Sequence, residues 1–365
     1  VRKRPTVFTV VGARPQFVKA APLSRALRRR LREVLVHTGQ HYDREMSGAF
    51  FDELAIPAPD LHLGIGSGRH GDMTGRMLAA LETAMTNVRP DLVLVVGDTN
   101  STLAGALAAA KLGLPVAHVE AGLRSFDPRM PEEINRRLTD HVSTLLFCPT
   151  TAAVANLRRE GIVRGVHRVG DVMKDAIVQN VARARRRPLP DGVPAHGGYY
   201  LATLHRQENV DDRRRLGDIV STLAQLDHLV LWPVHPRARR RMAEWGIRAE
   251  GALRLMPPVS YLDMLRLEEG ARAVLTDSGG VQKEAFLLGT PCLTLRETTE
   301  WVETVAAGMN ELVGADPARI RRAVARLERG GRRRARSRAT PYGRGQAAEA
   351  IAKVLAAFLN GRGRA

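Results

Sequence analysis

Cysteine is scarce in this sequence of 365 residues, with Cys148 and Cys292 the only two. Two cysteines cannot build a disulfide framework, and neither has a second cysteine or a histidine at zinc-ligand spacing. Long apolar runs are missing as well. The stretch Leu103–Ala110 stops at Lys111, well short of the roughly 20 residues that a membrane span needs. Aromatic residues are only 4% of the chain, too sparse to interleave basic residues with base-stacking platforms. No DNA- or RNA-reading motif is present. A basic tip, Arg2, Lys3 and Arg4, precedes the apolar Thr6–Ala13, but that run is short and Arg14 and Pro15 follow directly. It reads as a buried first strand and not as a secretory leader. The expectation is a cytoplasmic protein in a reduced setting, with no metal, no cofactor, no membrane and no nucleic-acid partner.

What is abundant is positive charge. Lys and Arg number 56 against 38 Asp and Glu, a formal net charge of +18. Such an excess points first to an anionic partner. The arginines cluster at Arg28–Arg30, Arg183–Arg187, Arg237–Arg241 and Arg332–Arg338, at the ends of helix-like segments or in linkers, where most are solvated charges that helix C-termini favour. The chain length, at about 150 residues per domain, fits two domains.

Short Val- and Leu-rich runs alternate with segments of helical period. Val7–Val11, Val34–His37, Leu92–Val96, Val116–Val119 and Leu145–Cys148 read as strands, and Phe17–Arg30, Gly75–Asn87, Thr102–Leu112 and Pro131–Val142 as helices. In the last of these, Pro131 suits the first helical position, and Ile134, Leu138 and Val142 recur every four residues. After the Arg/Pro/Gly-rich stretch 183–198 the pattern repeats, with strands at Tyr200–Leu204, Leu229–Pro233, Ala273–Thr276 and Cys292–Leu295 and a final amphipathic segment, Gln346–Leu359. Alternating strand and helix means parallel sheets covered on both faces. Two doubly wound α/β units in tandem are expected, with ligands at the carboxyl ends of the strands and the site between the domains.

Polar residues gather at those strand ends. The first strand leads into Gly12-Ala13-Arg14-Pro15 and a helix carrying Lys19. That turn reads either as an ordinary strand-to-helix connection or as an anion cradle of backbone N–H groups with Arg14 as a bidentate phosphate donor. Asp98 follows the strand Leu92–Val96 and reads equally as a helix cap or as an acid/base group. Glu120 ends a Val-rich strand beside glycine and is harder to explain as a cap. Two carboxylates on one sheet edge are suited to proton transfer. Glu132 and Glu133 open the helix after Pro131, where the helix dipole also favours them. In the second half the strand ends carry His205, His235 and the run Asp277-Ser278-Gly279-Gly280, the last a second anion cradle at a helix start. His37 and His41 are four apart, but Gly39 breaks the helix a zinc pair would need, and metal is rejected there.

The runs GARPQFVKAAPL (12–23), VVGDTNSTLAGALAA (95–109), HVEAGLRSFDPRMPEEINRRLTDH (118–141), LHRQEN (204–209), TDSGGVQKEAFLLGTPCLTLRETTE (276–300) and PYGRGQA (341–347) resemble the non-hydrolysing UDP-N-acetylglucosamine 2-epimerase family, in its order. The resemblance implies an α/β chain of GT-B fold: two Rossmann-like doubly wound parallel-sheet domains facing a central cleft. The N-terminal domain would span 1–172, completed by a C-terminal helix at 346–365, and the UDP-binding domain 173–345. It further implies reversible C2 epimerisation of a UDP-2-acetamido sugar, UDP-GlcNAc to UDP-ManNAc, through loss of UDP, a 2-acetamidoglucal and re-addition, by a homodimer.

By the same resemblance Asp98, Glu120 and Glu132 are the acid/base carboxylates, Lys19 faces the sugar and His205 lies near the phosphates. Arg14, Ser278, Gly279 and Gly280 hold the pyrophosphate and Glu284 the ribose hydroxyls. Lys283 and the segment 299–303 depart from the family pattern. Lys283 stands where many members have glutamate, and Thr299-Glu300-Trp301-Val302-Glu303 replaces the common T-E-R-P-E, as in relatives acting on other UDP-sugars, including diacetamido-uronic acid forms. The alternatives are therefore a 2-epimerase of such a sugar, a hydrolysing epimerase, a GT-B glycosyltransferase and, most remotely, a basic nucleic-acid-binding protein.

Overall fold

The structure is a computed structural model that describes residues 4–40, 51, 53–66, 68–194, 197–330 and 340–362. His41 and the arginine cluster 332–338 lie outside the described residues. The chain divides into two compact units, Val1–Gln179 with Thr340–Ala365, and Asn180–Ala339. The division falls within the helix Val172–Arg185, beyond the boundary at 172 expected from sequence.

The first unit holds a seven-stranded sheet in the order β3-β2-β1-β4-β5-β6-β7: β1 Thr6–Val11, β2 Arg32–His37, β3 Leu61–His62, β4 Leu92–Val96, β5 Val116–Val119, β6 Leu145–Cys148 and β7 Val166–Arg168. Every pair is parallel. The central strands are buried on both faces, which is why they read as unbroken apolar runs instead of alternating ones. Alanine density in the helix Asn100–Lys111 lets it approach the sheet closely. A Cβ on Gly105 would stand 3.1 Å from Val95 Cγ1 and 3.2 Å from Val10 Cγ2.

The terminal helix Ala347–Arg362 belongs to this unit. Ile351, Leu355 and Leu359 pack with Leu23, Ala26 and Leu27 of the helix Arg14–Arg28 in one core cluster. Asp175 caps its start, accepting from Ala347 N at 3.1 Å and Ala348 N at 2.9 Å. A cap of this kind is worth about 1 kcal/mol.

The second unit has a six-stranded parallel sheet in the order β10-β9-β8-β11-β12-β13: β8 Tyr199–Thr203, β9 Leu229–Pro233, β10 Leu253–Met256, β11 Val274–Thr276, β12 Cys292–Thr294 and β13 Asn310–Leu312. Its largest core is built around Tyr200, Trp232, Leu216, Ile219, Leu275 and Ile320. Both units are thus doubly wound parallel α/β sheets, as the alternating pattern predicts. No helix among the described residues is long and apolar enough to cross a membrane.

One helix face departs from its sequence period. Pro131–Val142 buries Glu133, Asn135, Arg136, Thr139 and Asp140, while Ile134 is 49% and Leu138 46% exposed. Two of the three periodic apolar residues point to solvent while Val142 packs against the core, and the polar face turns inward to serve the strand ends.

Candidate functional site

In the first unit, β4 and β5 lie side by side in register, Val96 beside Val119, so the residues that follow them meet. Gly97 N donates to Val119 O at 2.9 Å. Glu120 adopts a left-handed backbone, φ 72°, a conformation that costs a non-glycine residue on the order of 1–3 kcal/mol and concentrates at functional sites. Its N–H donates to Phe147 O at 3.1 Å. Lys19, from the helix Arg14–Arg28, reaches across to form a buried ion pair with Glu120 Oε2; the two residues are 8% and 5% exposed. Gly97 borders this pair, for a Cβ there would lie 3.4 Å from Glu120 Oε2 and 3.5 Å from Lys19 Nζ.

Asp98 is not the helix cap that one reading of the sequence allowed. Thr99 takes that role, exchanging hydrogen bonds with Thr102. The Asp98 carboxylate instead receives Arg136, with Nη2 at 2.8 Å and Nε at 3.1 Å, and Asn135 Nδ2 donates to its carbonyl at 2.9 Å. Arg136 also binds Glu133 Oε2 at 2.8 Å, which accepts from Ser125 N at 2.8 Å and Ser125 Oγ at 3.0 Å. Glu133 is buried, whereas Glu132, the candidate of the pair, is half-buried on the first turn of the same helix.

Behind these groups lies a buried array that the sequence did not single out. His118, on β5, donates from Nε2 to Gly97 O at 2.8 Å and from Nδ1 to Asp140 Oδ1 at 2.7 Å. Asp140 Oδ2 accepts from Gly122 N at 3.0 Å and Arg124 Nη1 at 2.7 Å, and Arg124 forks onto Glu160 with two bonds of 2.8 Å. Burial would raise the Asp140 carboxyl, but His118 and Arg124 outweigh it and hold the group below its ordinary value. The array ties the turn after β4 to the turn after β5, the two segments that carry Asp98 and Glu120.

The first turn is the ordinary strand-to-helix connection of the two that the sequence allowed. The N–H groups of Gly12 and Ala13 are not open to an anion, because Gln16 Oε1 accepts both, at 2.8 and 3.0 Å. Gln16 is itself held by Val96 O at 2.8 Å. Gly12 is required by crowding, since a Cβ would meet Thr38 Oγ1 at 2.1 Å and Ser101 Oγ at 2.2 Å. Arg14, the first residue of the helix, remains half-buried beside this turn.

In the second unit β8 and β11 are neighbours, and His205 and Asp277 follow them. Asp277 is fully buried and accepts from His205 N at 3.1 Å, Arg206 N at 3.1 Å and Asn209 Nδ2 at 3.1 Å. His205 Nδ1 lies 3.2 Å from Asp277 Oδ1. Burial would raise the Asp277 carboxyl; the adjacent His205 and the converging donors lower it. The ring engages Asp277 through Nδ1 and is itself exposed. Asp277 thus holds His205 in place, a relationship that the pairing of β8 with β11 creates.

Ser278 caps the helix Gly279–Leu288, its Oγ accepting from Val281 N at 3.5 Å. The N–H groups of Gly279 and Gly280 are first-turn donors of that helix, the part of a helix that binds anions. Gly279 admits no side chain, as a Cβ would stand 2.3 Å from Glu300 Oε1 and 3.0 Å from Trp301 Nε1. Lys283 and Glu284 are buried one turn further on. No group of three or more His, Cys, Asp or Glu that could hold a metal ion occurs among the described residues.

A family model described as UDP-N-acetylglucosamine 2-epimerase matches residues 25–356. The chain is 49% identical over 358 residues to UDP-2,3-diacetamido-2,3-dideoxy-D-glucuronate 2-epimerase of Pseudomonas aeruginosa, covering 96% of this chain and 99% of that protein. It is 43% identical over 360 residues to UDP-N-acetylglucosamine 2-epimerase of Methanocaldococcus jannaschii, covering 95% and 97%. Among solved structures, that of the M. jannaschii UDP-GlcNAc 2-epimerase in complex with UDP-GlcNAc and UDP superposes with a TM-score of 0.90 at 42% identity, over 96% of this chain and 99% of that one.

Proposed function

Because the chain belongs to the UDP-N-acetylglucosamine 2-epimerase family, we propose that it inverts C2 of a UDP-2-acetamido sugar, taking UDP-GlcNAc to UDP-ManNAc. A carboxylate removes the C2 proton as the C1–O bond breaks and UDP departs with the bonding pair, leaving a 2-acetamidoglucal. A proton returned to the opposite face of C2, with UDP re-adding at C1, gives the epimer. Such a cycle needs a base, an acid and donors for the developing charge on the departing diphosphate.

The observation that carries this reading is the Glu120 carboxylate, buried against Lys19 in a strained backbone with Asp98 on the adjoining strand end. Asp98, Glu120 and Glu132 are the proton-transfer groups of the first unit, and Lys19, paired with Glu120, faces the sugar. In the second unit His205, oriented by Asp277, faces the phosphates. Ser278, Gly279 and Gly280 bind the diphosphate, and Glu284 binds the ribose. We further propose that the protein is a cytoplasmic homodimer; exposed Ile134 and Leu138, one turn apart on Pro131–Val142, supply an apolar surface suited to a second copy.

A second substrate, the UDP-2,3-diacetamido uronic acid, is favoured by the Pseudomonas relative and by the side chains at 283 and 301. NMR of products formed from each nucleotide tests both. Conversion of UDP-GlcNAc to its manno epimer supports the first, conversion of the uronate alone supports the second, and stoichiometric free UDP with free sugar would establish hydrolysis instead.

A further inference from the structure

Glu268 sits on the helix Tyr261–Gly270 and is fully buried. No N–H or O–H group among the described residues donates to either of its carboxyl oxygens. Its polar neighbour is the carboxyl group of Glu284, on the helix Gly279–Leu288. An ionised carboxylate stripped of water and of donors is unfavourable by several kcal/mol, so such a group stays neutral. Burial raises the Cys292 thiol to about 12 and raises the Tyr199 phenol, so these two neighbours of Glu268 are neutral. The position of Glu268 is itself fixed, since its carbonyl accepts from Thr290 Oγ1 at 2.9 Å and Tyr199 OH donates to the preceding carbonyl, that of Leu267, at 2.8 Å.

A neutral carboxylic acid is a hydrogen-bond donor, and the carboxylate beside it is an acceptor. We propose that Glu268 is a positioning residue for nucleotide binding, donating its hydroxyl to Glu284 and so fixing the orientation in which Glu284 meets the ribose hydroxyls. The inference rests on the reading of Glu284 as a ribose ligand. It explains why a carboxyl group with no donor of its own is kept inside an apolar layer, where leucine would fill the space. It assigns Glu268 no contact with the nucleotide.

Calorimetric titration of the full chain with UDP and with 2′,3′-dideoxy-UDP tests this on Glu268→Gln, Glu268→Leu and Glu284→Ala. Glutamine keeps an N–H donor toward Glu284, so Glu268→Gln should bind UDP within about twofold of the parent chain. Glu268→Leu should bind it about tenfold more weakly, the scale of one hydrogen bond to a charged group. Both variants should bind dideoxy-UDP as the parent does, which also shows that they are folded. Unchanged UDP affinity in Glu268→Leu, an equal loss in the glutamine variant, or an equal loss for dideoxy-UDP would each overturn the inference. If Glu284→Ala also leaves UDP affinity unchanged, the ribose reading falls with it. If Glu284→Ala weakens UDP and Glu268→Leu does not, only the positioning role fails.

Discussion

Lys283 Nζ lies 3.9 Å from the ring centroid of Trp301, so two of the side chains that depart from the family pattern touch each other. Both are buried, at 1% and 4% exposure, where a cation over an indole face is worth about 2 kcal/mol. Trp301 is also one of the residues that close over Gly279. A double-mutant cycle in denaturant, with Lys283→Met and Trp301→Leu, should give a coupling energy of about 1–2 kcal/mol. Additive effects would show that the contact carries no energy of its own.

The first-unit carboxylates are predicted to act in turnover and not in nucleotide binding. Asp98→Asn and Glu120→Gln should each lower kcat by roughly 10²–10⁴-fold, the range for a general acid or base, and leave the calorimetric Kd for UDP within about twofold. Lost UDP affinity in either variant would move that residue to the diphosphate site.

Two glycines separate crowding from backbone strain. Gly12→Ala forces a Cβ to 2.1 Å from Thr38 Oγ1 and 2.2 Å from Ser101 Oγ, and both hydroxyls are buried and bonded to each other at 2.8 Å. Gly97→Ala meets only ordinary contacts but must hold φ +68°, at a cost of about 1–2 kcal/mol. Thermal denaturation should therefore place Gly12→Ala below Gly97→Ala in Tm. The reverse order would mean that the hydroxyls move aside at little cost.

Acid stability should carry the mark of Glu328. Its carboxylate accepts from Arg272 and Tyr200, and the Arg272 bond, which outweighs the effect of burial, holds it at about 2 against an ordinary 4.5. A folded-state value below the unfolded one means stability that is complete above about pH 4.5 and lost as the pH falls towards 2. Glu328→Gln should be less stable than the parent at neutral pH, and the gap should close across that window in urea titrations. A gap that stays constant from pH 6 to pH 2.5 would contradict the assignment.

The central strands were legible because a strand buried on both faces is a plain apolar run, and Leu92–Val96, Val116–Val119 and Leu145–Cys148 match residue for residue. The edge and near-edge strands Leu61–His62, Val166–Arg168, Leu253–Met256 and Asn310–Leu312 were not. They are two to four residues long and carry histidine, arginine or glutamate. Motif residues at strand ends could be named singly, but their partners could not. His118, Asp140 and Asp277 matter through hydrogen bonds that strand order creates, and no spacing encodes that order. The period of Ile134, Leu138 and Val142 gave the helix Pro131–Val142 correctly, but not its orientation: the inward face is the one carrying Glu133, Arg136 and Asp140.

The most direct test of the central claim is deuterium incorporation at C2. With UDP-GlcNAc and the diacetamido-uronic nucleotide incubated separately in heavy water, proton NMR should show loss of the C2–H signal in at least one substrate, with the manno epimer appearing alongside. Neither exchange nor epimer in either nucleotide, from enzyme that binds UDP, would contradict it.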